Sequence, residues 1–486
     1  MLFNSFDFII FFPVVTILFF LLPHKFRWSL LLTASCVFYM YFIPVYILIL
    51  FFTIIIDYIA GIYLEDAKDH RRKKFYLAWS LVANIGVLAV FKYYNFFLDN
   101  FNMASLTMFE HYLPFRYLAI ALPIGLSFHT FQAMSYTFEV YYGRQKAERH
   151  FGLYALYVMF YPQLVAGPIE RPQNILHQFH EKQYFNYARV RDGLSMMLWG
   201  LFKKVVIADN LSNYVNLAYH NPDEKTAMTL LLASYFFAIQ IYCDFSGYSD
   251  IAVGAAKVMG FNLMENFRTP YASSSIREFW GRWHISLSSW FRDYLYIPLG
   301  GNRVAKWRWM FNLFLVFMIS GIWHGANWTY VIWGALHGLY LVFGILKDEA
   351  CKKWNITFTE ERSKFIKGLN ILITFHLALF AWIFFRANTV TDAFTIIEKI
   401  TTQLHIGDFF KSLVFFVGNP NYVGKIVFHL LLITFFVAID PFLDQVVKQK
   451  IQMKSSVAKL VVYSVILASV ILFGYFGEVQ FIYFQF

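Results

Sequence analysis

"WMFNLFLVFMISGIWHGANWTYVIWGALHGLYLVFGIL", Trp309 to Leu346, carries no Asp, Glu, Lys or Arg over 38 residues, and Arg308 and Lys347 bound it. As one straight helix it would measure roughly 57 Å at ~1.5 Å per residue. That is nearly twice the ~30 Å hydrocarbon thickness of a bilayer. The run therefore has to reverse or break, and Gly321 and Gly325 near its middle are where the backbone gives most readily. His324 lies between them. An ionisable side chain inside an apolar span is a functional-site hypothesis by default, because leaving it unpaired in hydrocarbon costs free energy. Irregular backbone at that depth is tolerated only where it is buried in protein or faces a water-filled cavity.

The rest of the chain supports a membrane setting. Of 486 residues, 59% are hydrophobic, 21% aromatic and 15% charged, against about 25% charged in a soluble domain. Roughly 11 to 13 uncharged stretches approach the ~20 residues that a span requires. They are clearest near residues 7–22, 28–43, 45–63, 76–97, 117–138, 151–166, 227–242, 366–385, 427–443 and 457–477. The first, "FDFIIFFPVVTILFFLL", has no basic residue before it and no small-residue cleavage site after it, and reads as a retained span rather than a signal peptide.

The net charge of +11 lies in short clusters between spans, His24-Lys25-Arg27, His70 to Lys74, Lys203-Lys204 and Arg303 to Arg308. Positive-inside loops explain that distribution better than nucleic acid does. The same rule puts the N-terminus outside and the His70 to Lys74 loop in the cytoplasm. Three scattered cysteines, Cys36, Cys243 and Cys351, support neither a disulfide framework nor a Cys-based metal site. No 20-to-50-residue repeat and no linker between soluble domains is visible. The expectation is an all-α polytopic protein forming one membrane-embedded domain over 1–486, with N-terminal spans in 1–119, core motifs in 120–395 and C-terminal spans in 396–486.

Several stretches carry candidate chemistry beside a plainer reading. Around His324, Asn327 and Trp328 follow at three and four residues and share its face if the segment is helical. An amide to fix the tautomer and an indole to limit water would make the imidazole a general base. The plainer reading is helix packing, since Gly321-xxx-Gly325 and Gly334-xxx-Gly338 are small-xxx-small patterns. From Asn262 to Met310 the chain interleaves arginines, Arg268, Arg277, Arg282 and Arg292 among them, with aromatics, and reads as amphipathic or re-entrant helices at the cytoplasmic face. Within it Trp280, His284 and Ser288 fall four apart on one helical face, and His284 is a second candidate histidine or a snorkelling polar residue.

In "QIYCDFSGYSDIAVG", Gln240 to Gly254, Asp244 and Asp250 border apolar spans. They could handle protons or a cation, but helix capping is weighted slightly higher. Cys243 has no sequence neighbour that would activate a thiol. "FYPQLVAGPIERP", Phe160 to Pro172, argues for a broken helix or re-entrant turn. P-loop, H-E-x-x-H, G-x-S-x-G and C-x-x-C signatures are absent, so ATP-driven transport and zinc hydrolysis lack sequence support.

Taken together and in order, "LPIGLSFHTFQ", "FYPQLVAGPIERP", "GLFKKVVIADNL", "CDFSGYSDIAVGAAKVMGF", "REFWGRWHISLSSWFRDYLYIPLGGNR", "GIWHGANWTYVIWGALHG" and "WIFFRA" resemble the membrane-bound O-acyltransferase family, in particular its bacterial alginate O-acetylation branch. The similarity runs from the first span to about residue 395. It implies a multi-pass helical fold around a tunnel or funnel, with His324 as the catalytic histidine and His284 as a second functional one. It also implies a bacterial cytoplasmic membrane, acetyl-CoA as the cytoplasmic acyl donor with no permanently bound cofactor or metal, and an exported or cell-wall polysaccharide as acceptor. A separate extracytoplasmic acetyltransferase is the implied protein partner. A sister branch moves D-alanine to teichoic acids, which stays as an alternative. Glu139 in "YTFEVY" stands where the family pattern has Asp, with the carboxylate retained.

The chemistry agrees with the residues. A sugar hydroxyl attacking an acetyl thioester needs a proton acceptor, which neutral histidine supplies for roughly 10² to 10⁴-fold. In this reading Asn327, Trp323, Trp328 and Asp244 support His324, and Arg268, Arg277 and Arg282 attract the phosphates of the donor. The competing classes are a proton-coupled transporter, with His324 as relay, and a scaffold in an export complex.

Overall fold

The computed structural model describes residues 1–111, 115–119, 122–354, 360–448, 456–477 and 481–482. Every regular element among them is helical. Six helices are long and apolar enough to cross a membrane: Pro44–Asp66, His70–Phe109, Ala227–Met259, Trp328–Lys353, Lys364–Arg386 and Pro420–Val447. Phe6–Leu21 and Val457–Phe473 are apolar but shorter. The chain is an all-α multi-pass membrane protein. Its contacts divide it into two compact units, one of Met1–Leu194 with Ala252–Met264, the other of Ser195–Ile251 with Glu265–Gln485.

In the first unit the Phe6–Leu21 helix starts where the Ser5 side chain accepts from the Phe8 N–H at 3.3 Å, supplying one of the bonds a helix start lacks. Burying an acid in a span demands partners, and Asp57 of the Ile47–Asp66 helix has them. It accepts from Ser80 Oγ at 2.5 Å and from Asn84 Nδ2 at 2.8 Å, both on the His70–Leu88 helix. The span expected near 117–138 is helical only over Leu126–Tyr141, and its residues 120 and 121 lie outside the described residues.

The expected break after 151 is present. Phe151–Met159 stops at Phe160, whose ψ is 113°, and a four-residue turn of helix, Tyr161–Leu164, follows with Pro162 near its start. The loop beyond it buries Glu170, which accepts from the Met264 N–H and from Asn174 Nδ2, and whose pKa burial pushes up to about 7.

In the second unit the 309–346 run does break. Lys306–His324 ends at the histidine, Gly325 is extended, and Trp328–Lys353 begins after Asn327, whose side chain accepts from the Thr329 N–H at 3.0 Å. The two helices pair antiparallel, with Gly321 against Gly334, Phe314 against Gly338, and a Lys306–Glu349 ion pair at the far end. At 19 and 26 residues they measure roughly 28 and 39 Å. A Cβ on Gly321 would meet the carbonyl oxygen of Tyr330 and one on Gly334 that of Phe317, so neither position accepts a side chain without separating the helices.

Candidate active site

His324 is the last residue of its helix, only 3% exposed. Its ring packs edge-on against three aromatics: Trp323 at 4.9 Å, Trp333 at 4.9 Å and Phe385 at 5.3 Å between centroids. The helix break puts Trp333, nine residues later in sequence, beside it. Asn327 does not follow it on one helical face, because the chain leaves the helix at Gly325. The Asn327 amide instead caps the next helix and donates to the Asn388 carbonyl oxygen at 2.9 Å, so it is committed elsewhere than to the imidazole. Trp328 begins that helix and is half exposed.

One turn after Trp333 comes a histidine that the sequence reading passed over. His337 is fully buried, and its Nδ1 accepts from Trp280 Nε1 at 3.2 Å. Its ring lies edge-on to Trp333 at 5.0 Å. The signal was available, since His337 is as surrounded by apolar residues as His324, in "GALHG".

His284 is also fully buried, but not on a continuous helix. The helices Ile276–Arg282 and Ile285–Phe291 are separate, and His284 joins them in a left-handed conformation at φ 45°. Trp280, His284 and Ser288 thus do not form the single face that their spacing suggests. A non-glycine residue in that region is strained by about 1–2 kcal/mol, so the surroundings must hold it. Its Nδ1 is 3.2 Å from Asn266 Oδ1, and Phe245 packs edge-on at 4.6 Å. Burial pushes the imidazole pKa down to about 3, so the ring is neutral at physiological pH. Aromatic contacts connect the two candidate histidines, running from His324 through Trp333, Trp382, Trp283 and Phe267 to His284.

Asp244 and Asp250 are interior residues of the Ala227–Met259 helix, so they do not cap it. Both are buried and ion-paired. Asp244 meets Lys204 at 2.7 Å, Asp250 pairs with Lys203, and Lys204 also holds Asp209 at 2.8 Å. Lys448 completes the group, at 2.9 Å from Asp444, 3.1 Å from Glu265 and 3.7 Å from Asp250. The sequence reading took Lys203-Lys204 for a loop cluster. They lie instead in a buried π-helical turn, Phe202–Ala208, where Asp209 just beyond it and Asp244 and Asp250 from the Ala227–Met259 helix compensate their charge.

The arginines divide. Arg277 lines a cavity of about 490 Å³, within the usual range for small-molecule sites, together with Arg292, Trp280, Phe317 and Ser320. Ser320 is one helical turn before His324. Arg292 was not among the residues singled out for donor binding. Arg268 and Arg282, which were, lie outside that lining and pair with Glu265 at 2.7 Å and Glu278 at 2.6 Å, while Arg292 pairs with Asp293 at 2.8 Å. Among the described residues no three His, Cys, Asp or Glu side chains converge to hold a metal ion. The site consists of buried imidazoles within an aromatic enclosure, beside an apolar cavity that carries two arginines.

Residues 149–386, which include the helix break and all three buried histidines described above, match the model of the membrane-bound O-acyltransferase family. The chain is 36% identical to the peptidoglycan O-acetyltransferase of Helicobacter pylori over 76% of its own length and 72% of that protein. It is 39% identical to the probable alginate O-acetylase AlgI of Pseudomonas aeruginosa over 82% of its length and 75% of that protein. Similarity to the teichoic acid D-alanyltransferase of Bacillus subtilis is 28% identity over 54% of the chain and 68% of that protein. With this extent of likeness, the chain belongs to the membrane-bound O-acyltransferase family and is an acyltransferase that draws on an acyl donor.

Proposed function

We propose that the protein transfers acetyl groups from cytoplasmic acetyl-CoA for O-acetylation of an exported or cell-wall polysaccharide in the bacterial inner membrane. The observation that carries this reading is the likeness, over three quarters or more of the chain, to a peptidoglycan O-acetyltransferase and a probable alginate O-acetylase. D-alanyl transfer is the second reading, favoured by the weaker likeness to a teichoic acid enzyme. The acceptor is a glycan hydroxyl or a group on an extracytoplasmic acetyltransferase that passes the acetyl on.

In this mechanism His324 is the base. The acceptor hydroxyl attacks the thioester carbonyl carbon while the imidazole takes its proton. The tetrahedral adduct then collapses, the C–S bond breaks, and the proton goes to the departing sulfur. A C–O bond replaces a C–S bond and no proton is gained or lost overall. The aromatic rings around His324 exclude water, which would otherwise hydrolyse the thioester. His284 stays neutral and offers a hydrogen-bonding nitrogen on the other side of the aromatic enclosure. The cavity beside Ser320 suits the acyl-bearing arm of the donor, and Arg277 and Arg292 suit its phosphates.

The test is coenzyme A release from labelled acetyl-CoA, with acetyl recovered on exported glycan, comparing wild type with His324→Ala at equal membrane abundance. Loss of both signals supports the reading. Undiminished acetylation removes His324 from the chemistry, and turnover with a D-alanyl-loaded carrier in place of acetyl-CoA selects the second reading.

A further inference from the structure

Four hydrogen bonds from residues 284 to 286 converge on one side chain and its backbone. Asn266 Oδ1 is 3.2 Å from His284 Nδ1, 3.2 Å from the Ser286 N–H and 3.0 Å from Ser286 Oγ, and the Ile285 N–H donates to the Asn266 carbonyl oxygen at 2.9 Å. On the other side of the amide, Asn266 Nδ2 donates to Ser249 Oγ of the Ala227–Met259 helix at 3.3 Å. Asn266 is 2% exposed and Ser286 is fully buried.

These contacts fix the amide. A backbone N–H can only donate, so the atom facing Ser286 has to be oxygen, and a flipped amide would set its NH₂ against that N–H. With oxygen there, the ring nitrogen facing it must carry a hydrogen. The neutral imidazole then has its proton on Nδ1 and its lone pair on Nε2. The same bonds hold the residues following His284, whose left-handed backbone needs support.

We propose that Asn266 is a positioning residue, which holds the ring of His284 as the Nδ1–H tautomer and so presents Nε2 as a proton or hydrogen-bond acceptor. This rests on the reading that His284 takes part in acyl transfer. The charged groups on the elements beside His284 include Asp244, Asp250 and Lys257 on the Ala227–Met259 helix, Glu265 and Arg268 flanking Asn266, Arg277, Glu278 and Arg282 on the preceding helix, and Lys448. Most are ion-paired: Asp244 with Lys204, Asp250 with Lys203 and Lys448, Glu265 with Arg268 and Lys448, and Arg282 with Glu278. The Asn266 amide oxygen is in direct contact with the ring at Nδ1.

The experiment measures acetyl transfer against pH for wild type, Asn266→Ala and Asn266→Asp, and records ¹⁵N-histidine solid-state NMR spectra of the full-length protein in lipid. His284 is assigned by difference from His284→Gln. Asn266→Ala should lower kcat tenfold or more. Asn266→Asp keeps the oxygen but adds a charge that favours imidazolium, so its rate should approach wild type at pH 8.5 and fall several-fold at pH 6, where wild type stays level. The wild-type spectrum should show a neutral His284 ring protonated at Nδ1. An Nε2-protonated ring overturns the proposal, as does an Asn266→Asp profile parallel to wild type. If neither variant inserts, the wild-type spectrum decides alone. Full activity in His284→Gln would sink the functional role of His284 while leaving the tautomer assignment standing, so the two failures are told apart.

Discussion

His324→Ala should reduce acetyl transfer by roughly 10² to 10⁴-fold, the usual worth of a general base, with membrane abundance and thermal stability in detergent close to wild type. A parallel loss of inserted protein would instead make it a packing residue. Arg277→Ala and Arg292→Ala address the donor. Each should raise the KM for acetyl-CoA by roughly 10 to 100-fold, the loss of one charge-assisted hydrogen bond, and leave kcat nearly unchanged; unaltered KM in both would remove the arginine-lined cavity from donor binding. Candidate residues were legible in the sequence where the anomaly was local. His324 stood out because an imidazole lay in an uncharged run, and His337 could have been found by the same argument. The surroundings of Asn327 and His284 were not legible, because they depend on a helix ending at His324 and on Asn266, 18 residues away. Spacing by threes and fours assumes an unbroken helix, and both residues stand where the helix stops.

Among the elements, the pair Lys306–His324 and Trp328–Lys353 depends on two glycines in contact. Gly334→Leu should therefore force the helices apart and cost at least the ~1–3 kcal/mol of an overpacked core, read as a lowered melting temperature with activity lost alongside. A variant that melts with wild type would show the crossing to be looser than described. Glu170 offers a pH-dependent counterpart in the first unit. Its pKa is about 7 folded against 4.5 for the free side chain, so the folded state binds the extra proton between these values. Its stabilisation is complete below about 4.5 and disappears as pH rises toward 7, by an amount on the order of 3 kcal/mol. Glu170→Gln should flatten the melting temperature between pH 5 and 8, and an unchanged slope would count against the raised pKa. The apolar spans were readable from hydropathy, and the break in 309–346 from length alone. The start of Leu126–Tyr141 was not, because "LPIG" before it is apolar without being helical.

Across the molecule, three buried lysines and five carboxylates tie together segments more than 200 residues apart in the second unit. Lys203→Met should destabilise by about 3–5 kcal/mol, the cost of breaking a buried pair from one side, and the double change with Asp250→Leu should recover much of it; equal melting temperatures for the single and double variants would contradict their coupling. Reading along the chain assigned Lys203 and Lys204 to a cytoplasmic loop, since basic residues between apolar stretches follow that rule in most cases, and only their distant partners show otherwise. This network also orders biogenesis. Lys203 and Asp250 are 47 residues apart, so they and the neighbouring Lys204–Asp244 pair can neutralise one another as a hairpin while the ribosome is still extending the chain. Lys448 emerges about 200 residues later, with Asp444 already beside it as its counter-ion one turn back. Until then Lys203 and Lys204 face three carboxylates, Asp209, Asp244 and Asp250, so the final lysine supplies a positive charge that the earlier segments lack.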